Sequence, residues 1–274
     1  RARVRARNHV AAFIKSFYRR SDMSMLELTP DFIKEFAAYL STEAGLRNGS
    51  IWANCMWLKG VVMKAHYNGL IPRNPFIQFH ISPNVKEREY LTEDELKAVM
   101  THEFADSKLA YIRDIFIFAS FTVLSFVDIQ ELTNDNIVEV NGEKWILSKR
   151  HKTKVAFQVK LLDIPLQIVE RYRPMQKDNR IFPDLNYWSI CKPLKRMIRE
   201  CGITKSISFH CSRHGFATLA LSKGMPIESV SRVLGHTNIV TTQLYAKITT
   251  QKLDNDLTMF GDKLSKTFNG ITMS

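Results

Sequence analysis

Residues 210–245 read HCSRHGFATLALSKGMPIESVSRVLGHTNIVTTQLY, and they hold the side chains of this 274-residue chain best suited to chemistry. His210 and Arg213 stand three apart, Leu234-Gly235-His236 follows, and Tyr245 comes nine residues after His236. A phenol, an arginine and two imidazoles together suit attack of a tyrosine hydroxyl on a phosphodiester. Such phosphoryl transfer asks a protein mainly to position the reactants and to offset charge on the non-bridging oxygens. A guanidinium fork matches two phosphate oxygens at once. Glu228 is the only carboxylate of the stretch, so we expect the charge to come from the chain's own cations, with no metal and no cofactor. The four cysteines, Cys55, Cys191, Cys201 and Cys211, form no C-x-x-C pair, which supports neither a zinc knuckle nor a redox motif and favours reduced, intracellular thiols.

Three short helices should carry this stretch. The first spans about 211–222 and stops at Gly224; the second opens at Pro226 and closes at Gly235. The third is expected to be capped by Thr237 and to bury Val240, Leu244 and Ile248, with Tyr245 at the edge of that stripe. Upstream, Asn136 to Leu161 changes to a period of two. The strands NIVEV and EKWILS flank Asn141-Gly142, a preferred type I′ turn, and VAFQVKL supplies a third strand. The turn before that third strand carries Lys149, Arg150, His151, Lys152 and Lys154.

The N-terminal third is helical throughout. Val10, Phe13, Ile14 and Phe17 make an apolar stripe on a helix studded with arginines. Thr29-Pro30-Asp31 starts a second helix with Phe32, Ile33, Phe36, Ala37 and Leu40 inward. A third runs from about Ser50 to Asn68, with Trp52, Cys55, Met56, Leu58, Val61 and Val62 largely inward. Residues 80–90 are polar and contain a proline, so they read as a linker, and Thr92 to Glu95 forms a capping box that opens the next helix. The expected architecture is mainly α: an all-α helical bundle over 1–84, then an α+β domain over 85–274 with a small three-stranded antiparallel sheet. The chain starts at arginine rather than methionine, which leads us to expect that the natural protein begins further upstream.

The formal charge is +12, and it is uneven, with 12 Lys and Arg against 5 Asp and Glu up to residue 84 and 27 against 22 thereafter. A polyanion is the natural partner, and double-stranded DNA fits better than a membrane surface because no basic amphipathic anchor stands out. Arg3, Arg7, Lys149, Arg150, Lys154, Lys195 and Arg199 are the candidate DNA contacts; a purely solvated basic surface is the bland alternative. No apolar run approaches the ~20 residues that span a bilayer.

The His-x-x-Arg, Leu-Gly-His and tyrosine pattern, at this spacing, resembles the catalytic signature of the tyrosine recombinase, or phage integrase, family. The segment ASFTVLSFVDIQELT is most similar to integrases of conjugative and mobilizable transposons. The resemblance covers roughly residues 10–255. It implies a core-binding helical domain followed by a catalytic domain, and a site-specific recombinase that integrates and excises a mobile element through a 3′-phosphotyrosyl intermediate.

Residue by residue, it makes Tyr245 the nucleophile, Arg213 a phosphate ligand, His210 the proton acceptor and His236 a hydrogen-bond donor to phosphate. Lys152 becomes the acid that protonates the departing 5′-oxygen, with Lys154 the runner-up. One departure stands out. The family's first phosphate-gripping arginine falls at Ser125 and its glycine at Val123, so Ser125 is a site position without a cation. Arg113, Lys149 and Arg150 are the candidates to compensate. A tetramer on DNA, a C-terminal tail packed on a neighbouring subunit, a DNA-bending accessory protein and a cytoplasmic, nucleoid-associated location are also implied. Two other readings remain open: topoisomerase-like strand passage with the same chemistry, and a non-catalytic DNA-binding protein of the same fold. His214 is read as a packed or surface residue.

Overall fold

The computed structural model describes residues 2–83, 89–151, 155–176, 178–236, 238–245 and 250–267. The chain divides into two compact units, residues 1–87 and 88–274.

The first unit packs three helices: α1 (Ala2–Phe17), α2 (Pro30–Thr42) and α3 (Asn48–Tyr67). Thr29 caps α2 by accepting from the Phe32 amide, and Pro30 sits in the first turn, where its missing N–H costs nothing. Phe13, Phe32, Phe36, Leu40, Cys55 and Val62 fill the centre, with Phe13 edge-on to Phe32 at 5.1 Å. Each such aromatic contributes roughly 1.5–3 kcal/mol by leaving water. Two residues depart from the expected stripes. Phe17 is 54% exposed, because α1 ends there and its ring leans along Phe13 and Tyr18. Met56, one position off the buried row Ile51, Cys55, Leu58, Val62, faces outward.

The second unit is built around α5 (Ser107–Thr122), which is buried along nearly its whole length from Leu109 to Thr122. A helix apolar on all sides has to be enclosed; α4 (Glu93–Thr101), α7 (Asp163–Tyr172), α8 (Tyr187–Glu200) and α9 (Cys211–Ser222) pack around it. The capping box of Thr92 and Glu95 opens α4, at 3.2 and 2.7 Å. The apolar stretch from Leu109 to Leu132 forms two helices. Val123 takes a left-handed conformation (φ 60°) at the end of α5, and α6 (Phe126–Gln130) restarts behind it.

Strands β1 (Ile137–Val140), β2 (Glu143–Lys149) and β3 (Ala156–Lys160) form an antiparallel sheet in that order. Asn141 and Gly142 both have positive φ, 53° and 76°, as a type I′ turn demands. Ile146 pairs with Val159, and these two with Phe157 turn inward. The chain closes with α10 (Ile227–Leu234), α11 (Val240–Gln243) and α12 (Thr250–Thr267). No helix among the described residues is long and apolar enough to cross a membrane.

Candidate active site

The Leu-Gly-His step is a helix stop that aims a histidine. Gly235 adopts φ 65° beyond the last turn of α10, and the His236 amide returns to the Ser231 carbonyl at 3.0 Å, the 6→1 bond of a Schellman motif. His236 is thereby turned back over α10, and its Nδ1 meets the buried Thr242 hydroxyl at 2.9 Å. A Cβ on Gly235 would lie 3.4 Å from Arg150 Nε and would be held in left-handed geometry. Gly235→Ala should therefore lower stability by about 1–2 kcal/mol, read as a reduced denaturant midpoint; an unchanged midpoint would remove the conformational argument.

Arg213, on the first turn of α9, and Arg150, from the turn after β2, reach the same place from opposite sides of the sequence. Arg213 Nη1 donates to the Val123 carbonyl at 2.9 Å, and its Nη2 donates to the Leu234 carbonyl. Arg150 Nη1 donates to the same Val123 carbonyl at 3.2 Å and to Asp128 Oδ2 at 3.0 Å, while its Nη2 donates to the Val233 carbonyl at 2.9 Å. Carbonyls at helix C-termini are the negative ends of α5 and α10, so two cations are natural caps for them. The left-handed twist at Val123 aims its carbonyl at both. This conformation is uncommon for a β-branched residue and is retained by full burial of the side chain against Ala217, Leu221, Val230 and Leu234.

Asp128 anchors the arrangement. Burial alone would raise its carboxyl, but bonds from the His151 amide (2.9 Å), the Ser125 hydroxyl (2.8 Å) and Arg150 hold it below the usual carboxylate range. Arg150 is 6% exposed and its guanidinium lies 4.2 Å over the Phe157 ring. Burial lowers its pKa, with Asp128 working the other way. Arg213 is pushed down to about 10 by burial and then by Arg150, and stays cationic at neutral pH. His236 falls below the ordinary histidine value through burial and the neighbouring Arg213, Arg150 and His210. A neutral His236 that accepts from Thr242 at Nδ1 carries its proton on Nε2, ready to donate.

Tyr245 packs its ring against the cluster of Val123, Ala217, Leu221, Val230 and Leu234. The His236 ring lies nearly parallel to it (14°) at 6.4 Å, and the His214 ring lies at 5.1 Å. His210, at the N-terminus of α9, meets His214 edge-on at 4.8 Å. The structure thus brings together Arg213, His210, His236 and Tyr245, and adds Arg150, Asp128 and His214.

Several expectations need correction. Ser125 does not present a free hydroxyl to the site: it caps α6 and gives its proton to Asp128. Arg150 is not a solvated DNA contact of the hairpin tip, since Asp128 and two carbonyls draw it inward. Of the other candidates to compensate for Ser125, Arg113 is taken up by Asp114 (2.9 Å) and the His102 carbonyl (2.8 Å), and Lys149 is exposed. The third helix of the signature is only four residues long; Val240 and Leu244 are 57% and 74% exposed, and Thr242 is the buried residue because its hydroxyl serves His236. Lys152, Lys154, Thr237 and Ile248 lie outside the described residues. Arg3, Arg7, Lys195 and Arg199 are exposed on α1 and α8, away from any ion pair among the described residues, whereas Arg196 pairs with Asp106 and Glu200.

Comparison with known proteins came to the same region. A family model described as Phage integrase family matches residues 89–252, and one described as Phage integrase SAM-like domain matches residues 1–81. The chain is 32% identical to tyrosine recombinase XerA of Pyrococcus horikoshii over 177 residues, 60% of this chain and 58% of that protein. It is 25% identical to tyrosine recombinase XerC of Lactobacillus leichmannii over 229 residues, 78% of this chain and 77% of that one. Among solved structures, a Tn1549 transposon integrase fragment in complex with transposon right end DNA superposes with a TM-score of 0.76 at 16% identity, covering 94% of this chain and 93% of that one. A lambda integrase dimer bound to a core site gives 0.67 at 18% identity, covering 88% and 87%. At these identities the structures share the fold.

Proposed function

Because the chain belongs to the phage integrase family, we propose that it is a site-specific DNA recombinase, one that cuts and rejoins strands through a 3′-phosphotyrosyl intermediate. The observation that carries this reading is the buried Arg150 and half-buried Arg213 guanidiniums sharing the Val123 carbonyl beside the imidazole-flanked Tyr245. Tyr245 Oη attacks the scissile phosphorus, the new P–O bond forms to the phenol, and the bond to the 5′-oxygen breaks. A free phenol ionises only near pH 10, so attack needs a proton acceptor, for which His210 is our choice, and cations to offset the charge. Arg213 and Arg150 face the non-bridging oxygens, Arg150 standing in for the cation missing at Ser125. In a site shielded from water such charges act far more strongly than in solution. His236 Nε2 donates to a phosphate oxygen, and Lys152 is proposed to protonate the leaving 5′-oxygen. The phosphotyrosyl bond keeps the energy of the broken link, so rejoining needs no nucleotide.

Residues 1–87 are proposed to clamp duplex DNA through the exposed arginines of α1, Arg3 and Arg7 among them. Lys149, Lys154, Lys195 and Arg199 add phosphate contacts from the catalytic unit, which position rather than specify. The Tn1549 transposon integrase that shares this fold supports integration and excision of a mobile element as the biological outcome, and the same proposal includes a cytoplasmic setting, a synaptic tetramer and a DNA-bending accessory protein. On α12, Leu253, Leu257, Phe260 and Leu264 keep one apolar stripe exposed, and we assign this stripe to a neighbouring subunit. Leu257→Asp with Phe260→Asp should leave binding to a single half-site intact and abolish higher-order complexes in sedimentation; unchanged assembly would refute that assignment.

The reading is tested by covalent capture. Duplexes recovered from a randomised pool by their binding to the chain are nicked at tiled positions and incubated with it. A denaturant-resistant adduct should form, and digestion should place the nucleotide on Tyr245 in the peptide 233–247. Absence of any adduct on tightly bound duplexes would leave the DNA-binding alternative standing. Adducts and relaxation on plasmids lacking those sites would favour the topoisomerase-like one.

A further inference from the structure

We propose that His214 is a positioning residue that seats the ring of Tyr245 for attack. The proposal deepens the reading of Tyr245 as nucleophile and rests on it. Tyr245 follows α11, a helix of four residues; Val240 within it and Leu244 just after it are turned to solvent, so that Thr242 is the helix's one buried anchor. Such an element fixes its own backbone poorly, and the orientation of the phenol depends on what its ring touches. The α9 side chains that it meets include His214, whose ring centroid lies 5.1 Å from its own with the planes inclined by 46°. His214 is itself held on a firm support: Cys211, Ser212, Ala217 and Leu221 bury α9, and the His210 ring meets it edge-on at 4.8 Å and 89°.

Helical geometry explains the division of labour. Positions 210 and 214 are four apart and share a face of α9, whereas 213 and 214 project about 100° apart. Arg213 therefore turns to the Val123 and Leu234 carbonyls while His214 turns to the phenol. The nearly parallel His236 ring also neighbours Tyr245, at 6.4 Å. In-line attack tolerates little misplacement; an error of about 1 Å costs on the order of 100-fold in rate. The seat is made by the ring, so its loss should appear in the attack step and leave duplex binding alone.

The test compares the full chain with His214→Ala, His214→Phe and His214→Asn. Two quantities are read: the ¹⁹F resonance of Tyr245 in protein labelled with 3-fluorotyrosine, and the single-turnover rate of adduct formation on the captured nicked duplexes. The chain has eight tyrosines, so the Tyr245 line is identified by its loss in Tyr245→Phe. His214→Ala should shift and broaden that line and slow adduct formation by roughly 10- to 100-fold, with duplex affinity within about threefold of the native chain. His214→Phe, which restores a ring, should recover most of the rate, and His214→Asn, which restores only hydrogen bonding, should not. A line and a rate unmoved by His214→Ala would overturn the proposal, as would recovery by Asn and not by Phe. If the native chain forms no adduct, the recombinase reading fails separately, and the resonance still decides whether His214 seats the ring.

Discussion

Tyr245→Phe should bind the captured duplexes as the native chain does and form no covalent adduct with them. The substitution removes one oxygen and keeps the ring, and it is the ring that packs against Val123, Ala217, Leu221, Val230 and Leu234. Losing a hydroxyl costs about 0.5–1.5 kcal/mol even where it is hydrogen-bonded, too little to unfold a unit of this size. The effect on chemistry is of another order. Without the phenolic oxygen there is no bond to make to phosphorus, and neither His236 nor Arg213 can substitute for a nucleophile. Gel shift and denaturing electrophoresis on the same samples separate the two effects. Retention of an adduct in Tyr245→Phe would mean that another residue attacks, and the assignment of the whole cluster would have to change.

The parts of this site that were readable in the sequence are those fixed by local backbone rules. Gly235 had to end a helix; Asn141-Gly142 had to be a tight turn; Thr92 and Glu95 had to cap one another. The residues that were not readable owe their place to contacts across the chain. The basic turn after β2 presents five candidate groups, and nothing local says that Arg150 is the one drawn inward. Its partners Val123, Asp128 and Val233 lie 22 to 83 residues away. Asp128 was the available clue, an acid in the apolar segment three residues after Ser125, since a carboxylate buried there needs a cation beside it. Periodicity misled at α11 because Val240 and Leu244 are apolar and correctly spaced, yet the buried position goes to Thr242, whose hydroxyl is needed by His236. For His214 the spacing from His210 was visible, but what lay across from it was not.

Arg150→Ala should damage folding and chemistry together, and the two losses can be separated. Removing the guanidinium leaves Asp128, 9% exposed, facing the Ser125 hydroxyl and the His151 amide without its cation. Breaking a buried pair from one side typically costs about 3–5 kcal/mol, which for a unit of this size lowers the melting temperature by roughly 6–20 °C. The Val123 and Val233 carbonyls lose a donor as well. Adduct formation should fall by on the order of 10²–10³-fold if Arg150 offsets charge on the phosphate. The variant that distinguishes the causes is Arg150→Met combined with Asp128→Asn. It removes both charges, keeps an amide whose Oδ1 can accept from the His151 N–H and whose Nδ2 can donate to the Ser125 hydroxyl oxygen, and should regain much of the lost melting temperature. Cleavage should stay low in the double variant, because a thioether offers the phosphate nothing. Recovery of cleavage alongside stability would instead make Arg150 a structural strut, and the second cation at the scissile phosphate would have to come from elsewhere in the chain. The sequence itself favours the first outcome: with serine at position 125, one guanidinium in this pocket already has a structural acid to hold it, and its place beside Arg213 is where a second charge is required.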